Sequence, residues 1–271
     1  MTLLFHELTA ARLKELQQKG AVILLSFGSI EQHSSHLPVG TDYLCSLERV
    51  KNIAERTESI VLAPLMLGYS FNHKGMFGTV SLDPKLMTDL VAGTLEQLCG
   101  QGWSKILLFS GHNGNWGVLD LAVQIAREKY PWAQIISSKG LPPVSSEQFS
   151  SRFFRDFDFH AGKVETAILN HYCPELLDKE KIPAPNGRIP EKILSLAKDG
   201  RLDQMDMIIM KAMLPQHTEL LSDTGSWGIS DPAEYGEVPV RQAMENYENF
   251  FVRLIEKWKS LGGHEPGATG S

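Results

Sequence analysis

Four short runs of consecutive apolar residues punctuate the first half of the chain: residues 21–28, 60–64, 105–109 and 134–138. Between them, apolar residues recur every three or four positions instead. Runs of the first kind predict buried strands, and recurrence of the second kind predicts amphipathic helices. The first helix is predicted over Thr9 to Gly20, with Thr9 as N-cap and Gly20 as the stop. A second runs from Asp42 to Arg56, with Leu44, Leu47, Val50 and Ile53 at helical spacing. A third opens at Asp83-Pro84, where proline suits the first helical position, and continues to Cys99. A fourth covers Trp116 to Lys129. Strand and helix in alternation imply a parallel sheet wrapped by helices, an α/β architecture.

Beyond residue 140 the pattern loosens. A loop is predicted to about His160, then a helix from Lys163 to Tyr172, which ends before Pro174. Residues 178–190 are polar and proline-bearing. Residues 233–260 read as a long amphipathic helix with Ala243, Tyr247, Phe250, Leu254 and Trp258 on one face. The glycine-rich stretch 261–271 reads as a disordered tail. No repeat, low-complexity block or linker interrupts residues 1–260, so one domain is expected there. Its 271 residues suffice for one large core.

Composition narrows the partners. The chain is 42% hydrophobic and 21% charged, as in ordinary soluble proteins, with a net charge of −6 and no basic run. Neither nucleic acid nor an anionic membrane surface is an expected partner. No apolar stretch approaches the roughly 20 residues of a membrane helix. The N-terminal residues lack the pattern of a signal peptide. Cys45, Cys99 and Cys173 form no CxxC pair, and free thiols suit a reducing compartment, so a cytoplasmic location is expected.

The candidate chemistry lies just beyond the first and third apolar runs, where open α/β sheets gather their ligands. Glu31 and His33 stand two apart, and Asp42 follows a loop containing Pro38 and Gly40 that can fold back toward its start. Mixed carboxylate and imidazole sets hold divalent metals. An aspartate can give one oxygen to each of two ions, and a pair about 3.5–4 Å apart can activate a bridging water. The alternative is that Glu31 and His33 are solvated loop residues and that Asp42 caps the helix beginning there. His112 follows Gly111 at the end of the third run, with Gly114 and Gly117 beyond it. This spacing allows a metal-binding histidine, a phosphate cradle at a helix N-terminus, or a tight turn bearing a surface histidine. It matches neither the dinucleotide fingerprint nor a P-loop. His160 and Glu165 flank the start of the helix over 163–172. Glu165 can point into a pocket with His160, or serve as an ordinary first-turn acid. His36 and His73 are further candidates, as surface or supporting residues.

Taken together, these segments resemble the creatininase (creatinine amidohydrolase) family. The resemblance rests on Gly28-Ser-Ile-Glu31-Gln-His33-x-x-His36-Leu-Pro-x-Gly-Thr-Asp42, Gly68-Tyr-Ser-x-x-His73 with Gly78-Thr, Gly111-His112-x-Gly-Asn115, His160-Ala-Gly-x-x-Glu165-Thr, and Ser226-Trp-Gly-Ile-Ser-Asp231-Pro. It implies a single α/β domain with a mostly four-stranded parallel sheet flanked by helices, commonly assembled as a homohexamer. It also implies two divalent ions per chain, zinc, manganese or iron. By motif position, Glu31, Asp42 and His112 would hold one ion, and His33, Asp42 and Glu165 the other, with Asp42 bridging. His160 would carry a proton to the leaving nitrogen, and Tyr69, His73 and Asn115 would shape the substrate pocket.

Two departures modify this. The Gly-Pro typical after the first histidine is Ser34-Ser35, and the glutamate that bacterial creatinine hydrolases carry two residues past the third-block histidine is Gly114. The second ion must then rely on Glu165, as in the formamide-hydrolysing and peptide-processing branches. The segment before His160 offers Phe154, Phe157 and Phe159 where tryptophans would cover creatinine. The expectation is therefore a metal-dependent hydrolase cleaving the C–N bond of a small cyclic or linear amide other than creatinine, by attack of a metal-bridging hydroxide. The competing readings are a peptide-processing peptidase of the same family, a non-catalytic binding protein on the same scaffold, and a nucleotide-binding α/β protein.

Overall fold

The computed structural model describes residues 2–139, 158–185, 217–228 and 230–262, with Ser195, Asp199, Met205 and Ile209 at isolated positions. Phe154, Phe157 and the expected tail from 263 onward lie outside the described residues. The elements in chain order are β1 (Leu3–Leu4), α1 (Ala10–Gln18), β2 (Ile23–Phe27), α2 (Thr41–Thr57), β3 (Ile60–Leu65), α3 (Pro84–Gly100), β4 (Lys105–Ser110), α4 (Trp116–Lys129) and β5 (Gln134–Ser137). These are followed by β6 (Asp158–His160), α5 (Lys163–Tyr172), β7 (Trp227–Gly228) and α6 (Val240–Ser260).

Strands β1 to β5 form a single parallel sheet in the order β1-β3-β2-β4-β5. The sheet has five strands, not the expected four. The extra strand is Leu3–Leu4, two residues too short to leave a periodicity, which pairs with Ile60 and Val61 at the edge. A separate antiparallel pair joins β6 to β7.

Side chains alternate along each strand and so divide the core in two. Ile23, Leu25 and Phe27 of β2, with Ile106 and Leu108 of β4, face α1, α3 and α4 and pack with Leu16, Val91, Leu95, Leu119 and Ala122. Val22 and Leu24, with Leu107 and Phe109, face α2 and α6 and pack with Val50, Ile53, Phe251 and Ile255. The sheet is thus covered on both faces, which accounts for unbroken apolar runs rather than alternating ones.

Helix α1 starts where expected, its Thr9 hydroxyl accepting from Arg12 N. Asp83 caps α3 by accepting from the Lys85 and Leu86 amides, with Pro84 at the first position. The alternative in which Asp42 caps α2 does not hold: Gly40 is the N-cap, and Asp42 sits inside the first turn. The expected start of the last helix is corrected. Residues 232–237 form a 3-10 turn, and α6 begins only at Val240. The buried stripe of α6 is Met244, Glu248, Phe251, Val252, Ile255 and Trp258, one position round from the expected face. Tyr247, Phe250 and Leu254 line its edge as partly buried neighbours. Three adjacent aromatic or aliphatic rows blur the face assignment, and packing against Val50 and Ile53 decides it.

Among the described residues, no helix is long and apolar enough to cross a membrane. Cys45, Cys99 and Cys173 are buried free thiols.

Candidate metal centre

The rim at the carboxyl ends of β2 and β4 is where the chemistry-bearing segments meet. Phe27 pairs with Ser110 at the last register position, and Gly111 N donates to Phe27 O at 3.0 Å. The two chains therefore leave the sheet side by side. Helix α2 returns against both exits. A Cβ on Gly28 would lie 2.2 Å from Tyr43 Cα, and one on Gly111 2.1 Å from Asp42 O. Glycine at both positions lets the first turn of α2, and Asp42 with it, sit against the strand ends.

Within this corner Asp42 faces two imidazoles, one with each oxygen. Oδ1 lies 3.5 Å from His33 Nε2, and Oδ2 lies 3.0 Å from His112 Nδ1. Ser29 Oγ also donates to Oδ2 at 2.7 Å, fixing the carboxylate plane. Glu31 Oε2 is 3.4 Å from His112 Nε2, and Glu165 Oε2 is 3.9 Å from His33 Nε2 and 4.0 Å from His160 Nδ1. Glu165, in the first turn of α5, is held by the Ala161 amide at 2.6 Å. Three overlapping groups of donor atoms, each within 4.8 Å of one another, follow: Glu31, Asp42 and His112; His33, His160 and Glu165; Glu31, His73 and His160.

Each key imidazole gives one ring nitrogen to the backbone and presents the other to the carboxylates. His33 Nδ1 donates to Glu31 O at 2.9 Å, leaving Nε2 inward. His112 Nε2 donates to Tyr69 O at 3.0 Å, leaving Nδ1 toward Asp42. His160 Nε2 donates to Gln32 O at 2.7 Å, leaving Nδ1 3.5 Å from Glu31 Oε1. Anchoring of the second nitrogen by a carbonyl is the usual support for a metal-binding histidine.

The electrostatics are those of a crowded, largely buried cluster, with Glu165 at its more exposed edge. Burial pushes Glu31 up, and the same cause carries Glu165 up to about 7. Burial opposes charge on His33 and His112, but the carboxylates around them win and raise them to about 10 and about 9. Burial also opposes charge on Asp42, yet His33 and His112 hold it well below the carboxylate range. His160 and His73 go the other way, lowered by burial and by the charge of His33, His73 to about 3.

These residues fit divalent ions. Among the described residues, Glu31 Oε2 and His33 Nε2 are buried with no hydrogen-bond partner. Unpartnered donors of this kind are costly unless a cation satisfies them. Carboxylate and imidazole together suit zinc and manganese.

The remaining expected site residues have other surroundings. Asn115 is fully buried, and its amide is used up: Oδ1 accepts from Tyr69 N at 2.9 Å, while Nδ2 donates to Gly28 O at 2.8 Å and Ser110 Oγ at 3.1 Å. It acts as a clamp joining three loops behind the cluster. Tyr69 stacks on Phe71 at 5.6 Å and serves His112 through its carbonyl. His36 is buried behind the cluster, donating from Nε2 to Thr166 Oγ1 at 2.8 Å, and burial lowers it to about 4. Gly114 has no room for a carboxylate side chain as placed, because its Cβ would lie 2.4 Å from His112 Nε2 and 2.5 Å from Tyr69 O. Sequence reasoning passed over Ser29, Gln32 and Asp158. Asp158 Oδ2 accepts from Val164 N at 2.7 Å, capping the helix that carries Glu165. Only the acidic and small polar residues next to motif positions hinted at them.

Comparison with known proteins adds to this geometry. A family model described as creatininase, creatinine amidohydrolase, matches residues 6–254. A creatinine amidohydrolase of Pseudomonas putida is 26% identical over 176 residues, covering 59% of this chain and 68% of that protein. A mycofactocin precursor peptide peptidase of Mycolicibacterium smegmatis is 29% identical over 168 residues, covering 60% and 62%. A 3-dehydro-scyllo-inosose hydrolase of Thermotoga maritima is 24% identical over 194 residues, covering 69% and 62%. The aligned segments thus span less than two thirds of the latter two proteins. Among solved structures, a creatinine amidohydrolase superposes with a TM-score of 0.73 at 19% identity, covering 96% of this chain and 98% of that one. A creatininase described as the manganese form gives 0.71 at 19% identity over 96% and 99%.

Proposed function

Because the chain belongs to the creatininase family, we propose that it is a metal-dependent amidohydrolase with a dinuclear centre, cleaving the C–N bond of a small cyclic or linear amide. The observation that carries this reading is Asp42, whose two oxygens face His33 and His112 separately at 3.5 and 3.0 Å. One carboxylate between two imidazoles is the arrangement of a bridging ligand. Glu31, Asp42 and His112 would hold one ion, and His33, Asp42 and Glu165 the other. Bound there, a pair of divalent ions supplies Lewis acidity toward a carbonyl and a water acidic enough to serve as nucleophile near neutral pH.

The protein's own groups do the rest. His160 is kept neutral, with its Nε2 proton held by Gln32 O, so Nδ1 is the atom that exchanges a proton. Its Nδ1, 4.0 Å from Glu165 Oε2, would take up the proton that the attacking water gives up. His160 Nδ1 would protonate the departing nitrogen, which otherwise leaves as a strongly basic anion. Tyr69 and Phe71, stacked at the rim, offer an apolar surface for the substrate beside the cluster.

A second reading is a peptidase acting on a short peptide. Gly114 favours it over creatinine itself, since the second ion then relies on Glu165, and the mycofactocin precursor peptide peptidase is among the similar proteins. A screen of amides, lactams, formamides and short peptides against zinc- and manganese-loaded protein tests both. Turnover of a small amide or lactam supports the first reading, turnover only of peptides supports the second, and a chain that takes up no metal and turns over nothing contradicts both.

A further inference from the structure

Gln32 lies between the two candidate ligands Glu31 and His33, and its side chain turns away from the carboxylates. The amide is oriented by two backbone groups: Oε1 accepts from Ser34 N at 3.0 Å, and Nε2 faces Gly225 O at 3.4 Å. With that orientation Nε2 donates to His73 Nδ1 at 2.9 Å. His73 must then carry its proton on Nε2, which faces Glu31 Oε1 at 3.4 Å and Thr218 Oγ1 at 3.3 Å. His73 therefore has the opposite arrangement to His33, His112 and His160. Its inward nitrogen is a donor, not a lone pair, and it does not act as a metal ligand.

A second feature shows that the amide has a reserved place. Gly225 has φ +80, and a Cβ there would lie 1.8 Å from Gln32 Oε1. Ser34, whose amide holds the other side, is itself in the left-handed region at φ 61. Two unusual backbone positions in separate loops thus converge on one glutamine side chain.

We propose that Ser34 N–H, Gln32 and His73 form a neutral hydrogen-bond relay that presents an N–H, rather than a lone pair, to Glu31 Oε1. This rests on the metal reading above. Gln32 and His73 are positioning residues: the relay sets which face of the His73 ring meets Glu31 without adding charge to the cluster.

The test uses the full-length protein labelled with 15N-histidine, observed by magic-angle-spinning NMR, together with zinc competition against a chromogenic chelator. The His73 signal is assigned by its loss in His73→Asn. Wild type is expected to show neutral His73 with the proton on Nε2. Gln32→Glu replaces the donor with an acceptor, so the His73 proton moves to Nδ1 and a lone pair faces Glu31. Zinc affinity is then expected to fall about 10–100-fold, the usual cost of losing support to a ligand. Gln32→Met, which removes the donor without adding charge, is expected to give a tautomer mixture and a smaller loss. Wild-type His73 protonated on Nδ1, or a Gln32→Glu protein with unchanged tautomer and zinc affinity within about twofold, overturns the relay alone. Wild type with the expected tautomer but no zinc uptake overturns the metal reading, and the relay's purpose with it.

Discussion

At Asp42 a single side chain serves two partners, so its loss is expected to act on both ions. Asp42→Ala should bind neither zinc nor manganese and lose nearly all hydrolytic activity. It should keep the far-ultraviolet circular dichroism of the wild type, since Gly40 caps α2 and Asp42 does not. A metal-replete, active variant would contradict the bridging role. Protonation gives a second test at the same scale. Without metal, His33 and His112 stay charged until about pH 10 and pH 9, so an ion arriving at neutral pH must displace their protons. Zinc affinity is therefore expected to rise with pH up to about 9–10 and then level off. Calorimetry in buffers of different ionisation enthalpy should register proton release at pH 7.5; proton-neutral binding would contradict the account. The candidate ligands and their spacings were visible in the sequence because carboxylates and imidazoles beyond apolar runs have few other uses in such density. Gln32 and Asn115 were not assigned their roles, because an amide's task depends on distant partners, as with Gly28, 87 residues from Asn115, and Gly225, 193 residues from Gln32.

Strands β2 and β4 contribute their exits to the site and helices α2 and α5 their first turns, and the approach of α2 to the ends of β2 and β4 is the closest tolerance. Gly111→Ala would place a methyl carbon 2.1 Å from Asp42 O, against backbone that cannot swing aside. It is expected to cost about 1–3 kcal/mol, as overpacking does, and to weaken zinc binding by displacing Asp42. Denaturant unfolding and chelator competition measure the two effects; an unchanged midpoint and affinity would show that the helix does not need this contact. Strands β2 to β5 and helices α1 to α4 were legible because their apolar periods differ clearly, helped by the Thr9 and Asp83 caps of α1 and α3. β1 was not, being two residues held only by pairing with β3. The buried face of α6 was misplaced because its tyrosine and phenylalanine rows leave two faces equally apolar until α2 selects one.

Across the whole molecule, the candidate ligands come from a loop after β2, the start of α2, the exit of β4 and the start of α5, so bound ions would cross-link distant parts of the chain. Zinc at a hundredfold excess over its dissociation constant is expected to add about 2.7 kcal/mol to stability, a rise in Tm of about 5–10 °C reversed by chelation. Differential scanning calorimetry with and without chelator checks it, and coincident transitions would count against metal in this cluster. The order of the five sequence blocks made the architecture readable in the sequence, whereas the shape of the rim around Tyr69 and Phe71 follows no spacing rule. The most direct test is anomalous diffraction from crystals of the zinc- or manganese-loaded protein. The account predicts two ions per chain, with Asp42 giving one oxygen to each, His112 on one and His33 on the other. A single ion, or two ions that do not share Asp42, would contradict it.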